Sequence, residues 1–184
     1  ALHSGTVTQD ADNKGSRRGG LIHISETATF RMTGGMLLNG STVIEAGTYK
    51  EPGGCVAGVS ANGTIEILGG KIIGGESAAQ GGSIYNVGTT ILKNCEIIGG
   101  VAAKSGGNIY QNGGSLTMEN CVISDGEAND TASGGGNLVA TGNAVVTITS
   151  STIRNGYSNY HGGNIYIGTA AVTMENSKIE AGVA

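Results

Sequence analysis

Aliphatic residues in this chain fall at every second position of short runs, as in Leu116-Thr117-Met118, with polar residues between them. A period of two is the pattern of a strand with one buried face. The runs are punctuated by a recurring Gly-Gly pair, followed by a small or polar residue and then an aliphatic one. It reads Gly19-Gly20-Leu21-Ile22, Gly53-Gly54-Cys55-Val56, Gly81-Gly82-Ser83-Ile84, Gly106-Gly107-Asn108-Ile109, Gly135-Gly136-Asn137-Leu138 and Gly162-Gly163-Asn164-Ile165. Successive pairs are 34, 28, 25, 29 and 27 residues apart. Such spacing suits coils that share strands but differ in loop length.

Aligned on the Gly pair, the chain resolves into columns of one chemistry. The first is Ile22, Val56, Ile84, Ile109, Leu138 and Ile165, and the second is Phe30, Ile65, Thr90, Leu116, Val146 and Val172. The third is Met32, Ile67, Leu92, Met118, Ile148 and Met174, and the last is Leu37, Ile72, Ile97, Ile123, Ile153 and Ile179. Only Thr90 departs from the aliphatic rule. No single coil can bury these residues alone, so the pattern predicts stacking at about 4.8 Å around a narrow core. The expected fold is all-β: a parallel β-helix, or β-solenoid, of about six coils with three short strands per coil. It covers 19–184, with 1–18 an N-terminal segment or partial first coil.

Polar columns fit the same register. Asn94 and Asn120 align with Asn176, while Asn108, Asn137 and Asn164 align beside the Gly pair, so both sets are expected to form amide ladders along the axis. Lys71 falls beside Glu96 and Lys93 beside Glu119 in adjacent coils. Cys95 and Cys121 share a column with Gly35, Gly70, Ser151 and Ser177. Their backbones lie close enough for a disulfide, but in-register parallel side chains fit its dihedral poorly, so stacked free thiols are expected. Cys55, in the column of Ser83 and Asn108, is expected to be free too.

Composition narrows the function classes. Aromatics are 4% of the 184 residues, Trp is absent and Gly numbers 35, which describes many tight turns and thin strands. Collagen is excluded by the lack of a strict triplet period. The net charge of −4 and the 13% charged content do not suit nucleic acid. The Arg17-Arg18 pair, with Lys14 nearby, reads as a solvated loop. No apolar run reaches the roughly 18 residues of a membrane span. The start has no signal-peptide pattern.

The stretches Gly106-Gly107-Asn108-Ile109-Tyr110 and Ser115-Leu116-Thr117-Met118-Glu119-Asn120-Cys121-Val122-Ile123-Ser124 resemble the right-handed β-helix repeats of large bacterial surface and secreted proteins, including the polymorphic outer-membrane type. The segment from Gly63 to Ile72 is similar to a variant of this repeat found in gut Gram-positive bacteria. The resemblance covers roughly residues 19 to 184 and implies right-handed winding. It also implies an adhesin, stalk or passenger region at the bacterial cell surface or outside the cell. The longer coil from Gly34 to Pro52 departs from the repeat, and a protruding loop is expected there.

Candidate chemistry is sparse. β-Helix enzymes that cleave polysaccharides group their acidic residues, whereas Asp125 and Asp130 share one turn region and have no aligned Asp in neighbouring coils. Glu66, Glu119 and Glu175 face outward, in a column read as interrupted by Lys93 and Thr149. Glu119 and Glu175 lie two coils apart, about 9.6 Å by the coil spacing, at the outer limit for paired-carboxylate glycoside hydrolysis. Asp10-Ala11-Asp12-Asn13-Lys14-Gly15 opens like a calcium loop, but Lys14 takes a ligand position and no closing Glu follows. His3, His23 and His161 stand apart from cysteines and acids in sequence, so no metal or triad is assigned. No cofactor is expected.

Tyr85, Tyr110 and Tyr166 occupy one outward column, with His23, Ala57 and Val139 at its other positions. Tyr157 and Tyr160, in the loop before Gly162, are expected to extend this surface. It can stack on host or bacterial glycans, pack against another chain, or simply shield the sheet. The terminal Glu180-Ala181-Gly182-Val183-Ala184 matches the place where another coil would begin. The chain therefore reads as a piece of a longer solenoid or as one whose ends pair with other copies. The expected function is a non-catalytic structural or adhesive module joined end to end into a filament or stalk. A carbohydrate-active enzyme or a glycan-binding module is the alternative.

Overall fold

The computed structural model describes residues 2–8, 18–43 and 51–184. Among these there is no helix, and parallel strands stack as a β-solenoid of about six turns. The calcium-like stretch Asp10–Gly15, Lys14 and Arg17, and part of the long second-coil loop (44–50) lie outside the described residues.

Each coil visits up to four sheets in turn. Sheet I is built from Ile22–Ile24, Val56–Gly58, Ile84–Asn86, Ile109–Asn112, Leu138–Thr141 and Ile165–Ile167. Sheet II holds Thr29–Met32, Thr64–Ile67, Thr89–Lys93, Ser115–Glu119, Val145–Thr149 and Ala171–Glu175. Sheet III begins one rung earlier, with Thr6–Thr8, and continues through Met36–Leu38, Gly70–Ile73, Cys95–Ile98, Val122–Ser124, Thr152–Arg154 and Lys178–Glu180. These are the three strands per coil that the alternation predicts. A fourth sheet of two-residue strands joins them: Glu76–Ser77, Val101–Ala102, Glu127–Ala128 and Tyr157–Ser158. Two residues are too few to show a period, which is why the pattern did not reveal it.

All four aliphatic columns pair as aligned. Ile109 stands opposite Ile84 and Leu138, Leu116 opposite Thr90 and Val146, Met118 opposite Leu92 and Ile148, and Ile123 opposite Ile97 and Ile153. These inward residues are fully or almost fully buried in a single core cluster. Thr90 remains at the centre of that core because two other inward polar residues need it. Asn86 donates to Thr90 Oγ1 at 2.8 Å, and Thr90 Oγ1 donates to Gln111 Oε1 at 2.7 Å. Gln111 Nε2 then donates to the carbonyls of Gly88 and Gly113. The exception in the column is one member of a closed polar network, and every member is bonded.

The Gly-Gly pair meets two separate demands. Gly106, the first of its pair, has φ +68°, a region that only glycine enters without cost. Gly107 is held by space: a Cβ there would lie 2.2 Å from Glu127 N and 2.3 Å from Gly136 O, both backbone atoms. The corner between sheets II and III is turned by Asn94, Asn120, Ser150 and Asn176 at φ 48–53°. Asn tolerates the left-handed region because its short polar side chain bonds locally.

Candidate functional site

The outer face of sheet I carries the side chains with most binding potential. Strand pairing sets His23, Ala57, Tyr85, Tyr110, Val139 and Tyr166 in one file, as the sequence alignment placed them. Tyr85 and Tyr110 stack with ring centroids 5.7 Å apart and planes 12° apart. Val139 interrupts the file, and a second aromatic group lies beyond it. There the His161 ring lies parallel to Tyr166, at 6.0 Å and 5°, and tilts against Tyr160 at 3.8 Å. Burial, followed by the neighbouring Tyr85 and Tyr166, holds the Tyr110 phenol above its ordinary pKa. Tyr110 can therefore offer a neutral hydroxyl to a ligand.

Tyr160 does extend this surface, and His161 joins it. In sequence His161 has no metal ligand or acid nearby, so its place among the aromatic rings was not expected. Its position next to Tyr160 and immediately before a Gly pair was the available signal. Tyr157 goes elsewhere, to the fourth sheet, opposite Glu127, with its hydroxyl donating to Asn159 Oδ1. Beside Tyr85 the wall of a shallow groove of about 410 Å³ is formed by Arg18, Glu51, Pro52, Val59, Gln80 and Val87. Arg18, expected as a solvated basic residue, pairs with Glu51 at 2.9 Å in that wall.

The amide columns behave differently from one another. Asn108, Asn137 and Asn164 form a continuous buried ladder: Asn108 Nδ2 donates to Asn137 Oδ1 at 2.7 Å, and Asn137 Nδ2 to Asn164 Oδ1 at 2.8 Å. Each Oδ1 also accepts from the backbone N–H of Gly100, Gly126 or Gly156, and each Nδ2 donates to the carbonyl of Ser124, Arg154 or Glu180. The ladder thus stitches the start of sheet I to the corner leaving sheet III. In the outer column Asn120 donates to Asn94 at 2.7 Å. Ser150 stands between Asn120 and Asn176, so that ladder is a single rung.

Lys71 and Glu96 pair at 3.0 Å, and Lys93 and Glu119 at 2.7 Å, as the register required. Glu66 corrects the alignment by two residues. It stands opposite Arg31 and Ile91, not in the file of Lys93, Glu119, Thr149 and Glu175, and it forms an ion pair with Arg31. Asp125 turns the corner after sheet III and accepts from Asn155 Nδ2 at 3.0 Å. Asp130 accepts from the backbone N–H groups of Thr131 and Ala132 and from Ser133 Oγ within its own loop. The two carboxylates precede and follow the strand Glu127–Ala128 in sequence, Asp125 bonding to the next coil and Asp130 within its own loop. His3 shares a hydrogen bond with Thr33 Oγ1. Among the described residues, no group of three or more His, Cys, Asp or Glu is placed to hold a metal ion.

The chain is thus, by its fold, a parallel β-solenoid with ladder-stitched corners and an aromatic file on one face. Comparison with protein-family models, with curated proteins and with solved structures finds no match.

Proposed function

We propose that the chain is a non-catalytic structural and adhesive module of an extracellular bacterial protein, a stiff rod that joins end to end with further copies. The observation that supports this reading is the unbroken register. Aliphatic, amide and charged side chains engage their own column neighbours from coil to coil, which makes the coils mechanically continuous along the axis. Head-to-tail contacts between copies of such a rod propagate along its axis. Sedimentation velocity over a wide concentration range tests the proposal. Species that grow with concentration are expected, and a concentration-independent monomer would overturn end-to-end assembly.

A second reading, glycan binding without catalysis, draws on the aromatic file of sheet I. The near-parallel Tyr85 and Tyr110 rings, 5.7 Å apart on adjacent coils, suit an apolar contact with consecutive sugar units. A glycan array read with the unmodified chain and with Tyr110→Ala tests it. Signal on extended glycans that falls at least several-fold in the variant supports this reading, and equal signals remove it.

A further inference from the structure

The three cysteines occupy two distinct settings. Cys55 is wholly buried inside the solenoid. Cys95 and Cys121 sit at the corner between sheets II and III on adjacent coils, with their sulfurs 3.5 Å apart. All three are free thiols in the structure. Cys95 borders a shallow groove of about 320 Å³, whose other walls are Gly70, Lys71, Asn94, Glu96, Asn120 and Val122. As residues, Cys95 and Cys121 are 3% and 2% exposed, whereas Cys55 is not exposed at all. From the contact between the sulfurs and the groove beside them, we infer that Cys95 and Cys121 form a redox-active pair that a peroxide converts to a cross-coil disulfide.

Geometry favours the pair as reactants. In-register residues on neighbouring strands have backbones about 4.8 Å apart, inside the Cα range that disulfides span. The sulfurs already touch, so closure needs side-chain rotation and no strand displacement. The hydrogen bond between the sulfurs also divides their acidity: Cys95 pulls the Cys121 thiol down, while that same contact and burial push Cys95 up. A thiolate is the nucleophile in such oxidations. A two-oxygen oxidant is small enough for thiols with so little exposure.

The chemistry balances in two steps. The Cys121 thiolate attacks one peroxide oxygen, the O–O bond breaks, and the departing hydroxide takes up the proton that Cys121 released, giving water and a sulfenic acid. Cys95 sulfur then attacks the Cys121 sulfur, the S–O bond breaks, and the hydroxyl leaves with the Cys95 proton as a second water. Two thiols and one hydrogen peroxide become one disulfide and two waters.

The test treats the native chain with hydrogen peroxide, then reads intact mass, free thiols and a peptide map without reduction. The expected result is loss of two hydrogens, a fall from three free thiols to one, and a linked peptide containing both Cys95 and Cys121. Cys55→Ser should react identically. In Cys95→Ser the oxidation should stop at a Cys121 sulfenic acid that a 1,3-diketone traps. Persistence of all three thiols in the native chain would overturn the inference. Addition of oxygen at Cys121 without linkage in the unmodified chain would overturn it equally.

Discussion

Buried amides and hydroxyls do at single residues what side-chain volume does elsewhere in this core. Asn137 is the clearest case, because it bonds to two coils and to two backbone groups at once. Asn137→Ala orphans the Gly126 N–H and one N–H of Asn108 Nδ2 inside the protein, and leaves the Arg154 carbonyl with the Asp125 N–H alone. At about 1–3 kcal/mol for each unsatisfied group, denaturant unfolding should show a loss of roughly 3 kcal/mol or more. Asn137→Asp should be at least as damaging, since it removes the donors toward Arg154 and Asn164. Thr90→Val is expected to cost about 2–4 kcal/mol, because it leaves both Asn86 and Gln111 short of a partner. Cys55 gives a pH signature. Burial pushes its thiol up to about 12. The folded chain therefore keeps a proton that the unfolded chain sheds near pH 9, and stability falls as pH rises from there toward 12. Cys55→Ala should remove up to about 1.4 kcal/mol per pH unit of that alkaline slope, measured by chemical unfolding from pH 8 to 11.

At the scale of strands and corners, the glycines and left-handed turns set how closely the coils approach. Gly107→Ala places a methyl group against the backbone of the next coil and is expected to abolish or severely impair folding. Gly99 is a useful contrast, since it has φ +68° but nothing within 4 Å of its would-be Cβ. Gly99→Ala should cost only the backbone strain, about 1–2 kcal/mol, and thermal unfolding separates the two cases. The outer ion pairs belong to this scale as well. A double-mutant cycle on Lys71 and Glu96 should return less than about 1 kcal/mol, and less again in high salt, because both partners are more than one-third exposed.

For the whole molecule, the prediction concerns assembly. If rungs of separate copies pair end to end, a charge on the last inward column should block them. Ile179→Lys, at a residue already 49% exposed, should leave the fold intact and shift the sedimenting species to monomer. An unchanged size distribution would show that any association uses another face, and the aromatic file on sheet I would then be the surface to vary.

The sequence by itself determined the architecture and nearly all of the register. Alternation with a period of two assigns each residue to core or solvent, and the Gly pairs mark where each coil restarts. Identical columns then have one way to stack. That is why the pairing of Cys95 with Cys121, and of Lys71 with Glu96, was legible in advance. Tertiary structure decided what depends on the path around a corner. Glu66 belongs with Arg31 because strand pairing fixes the offset of each outward file, and outward residues carry no burial pattern to reveal it. The fourth sheet is too short to have a period, and it carries Tyr157 away from the other tyrosines. His161 meets Tyr166 only when the loop before the Gly pair folds back over sheet I. Thr90 looked like a defect in an aliphatic file until closure of the coil brought Asn86 and Gln111 to it. Local patterning reports which face a side chain takes; only closure of the coil reports which distant side chain it meets there.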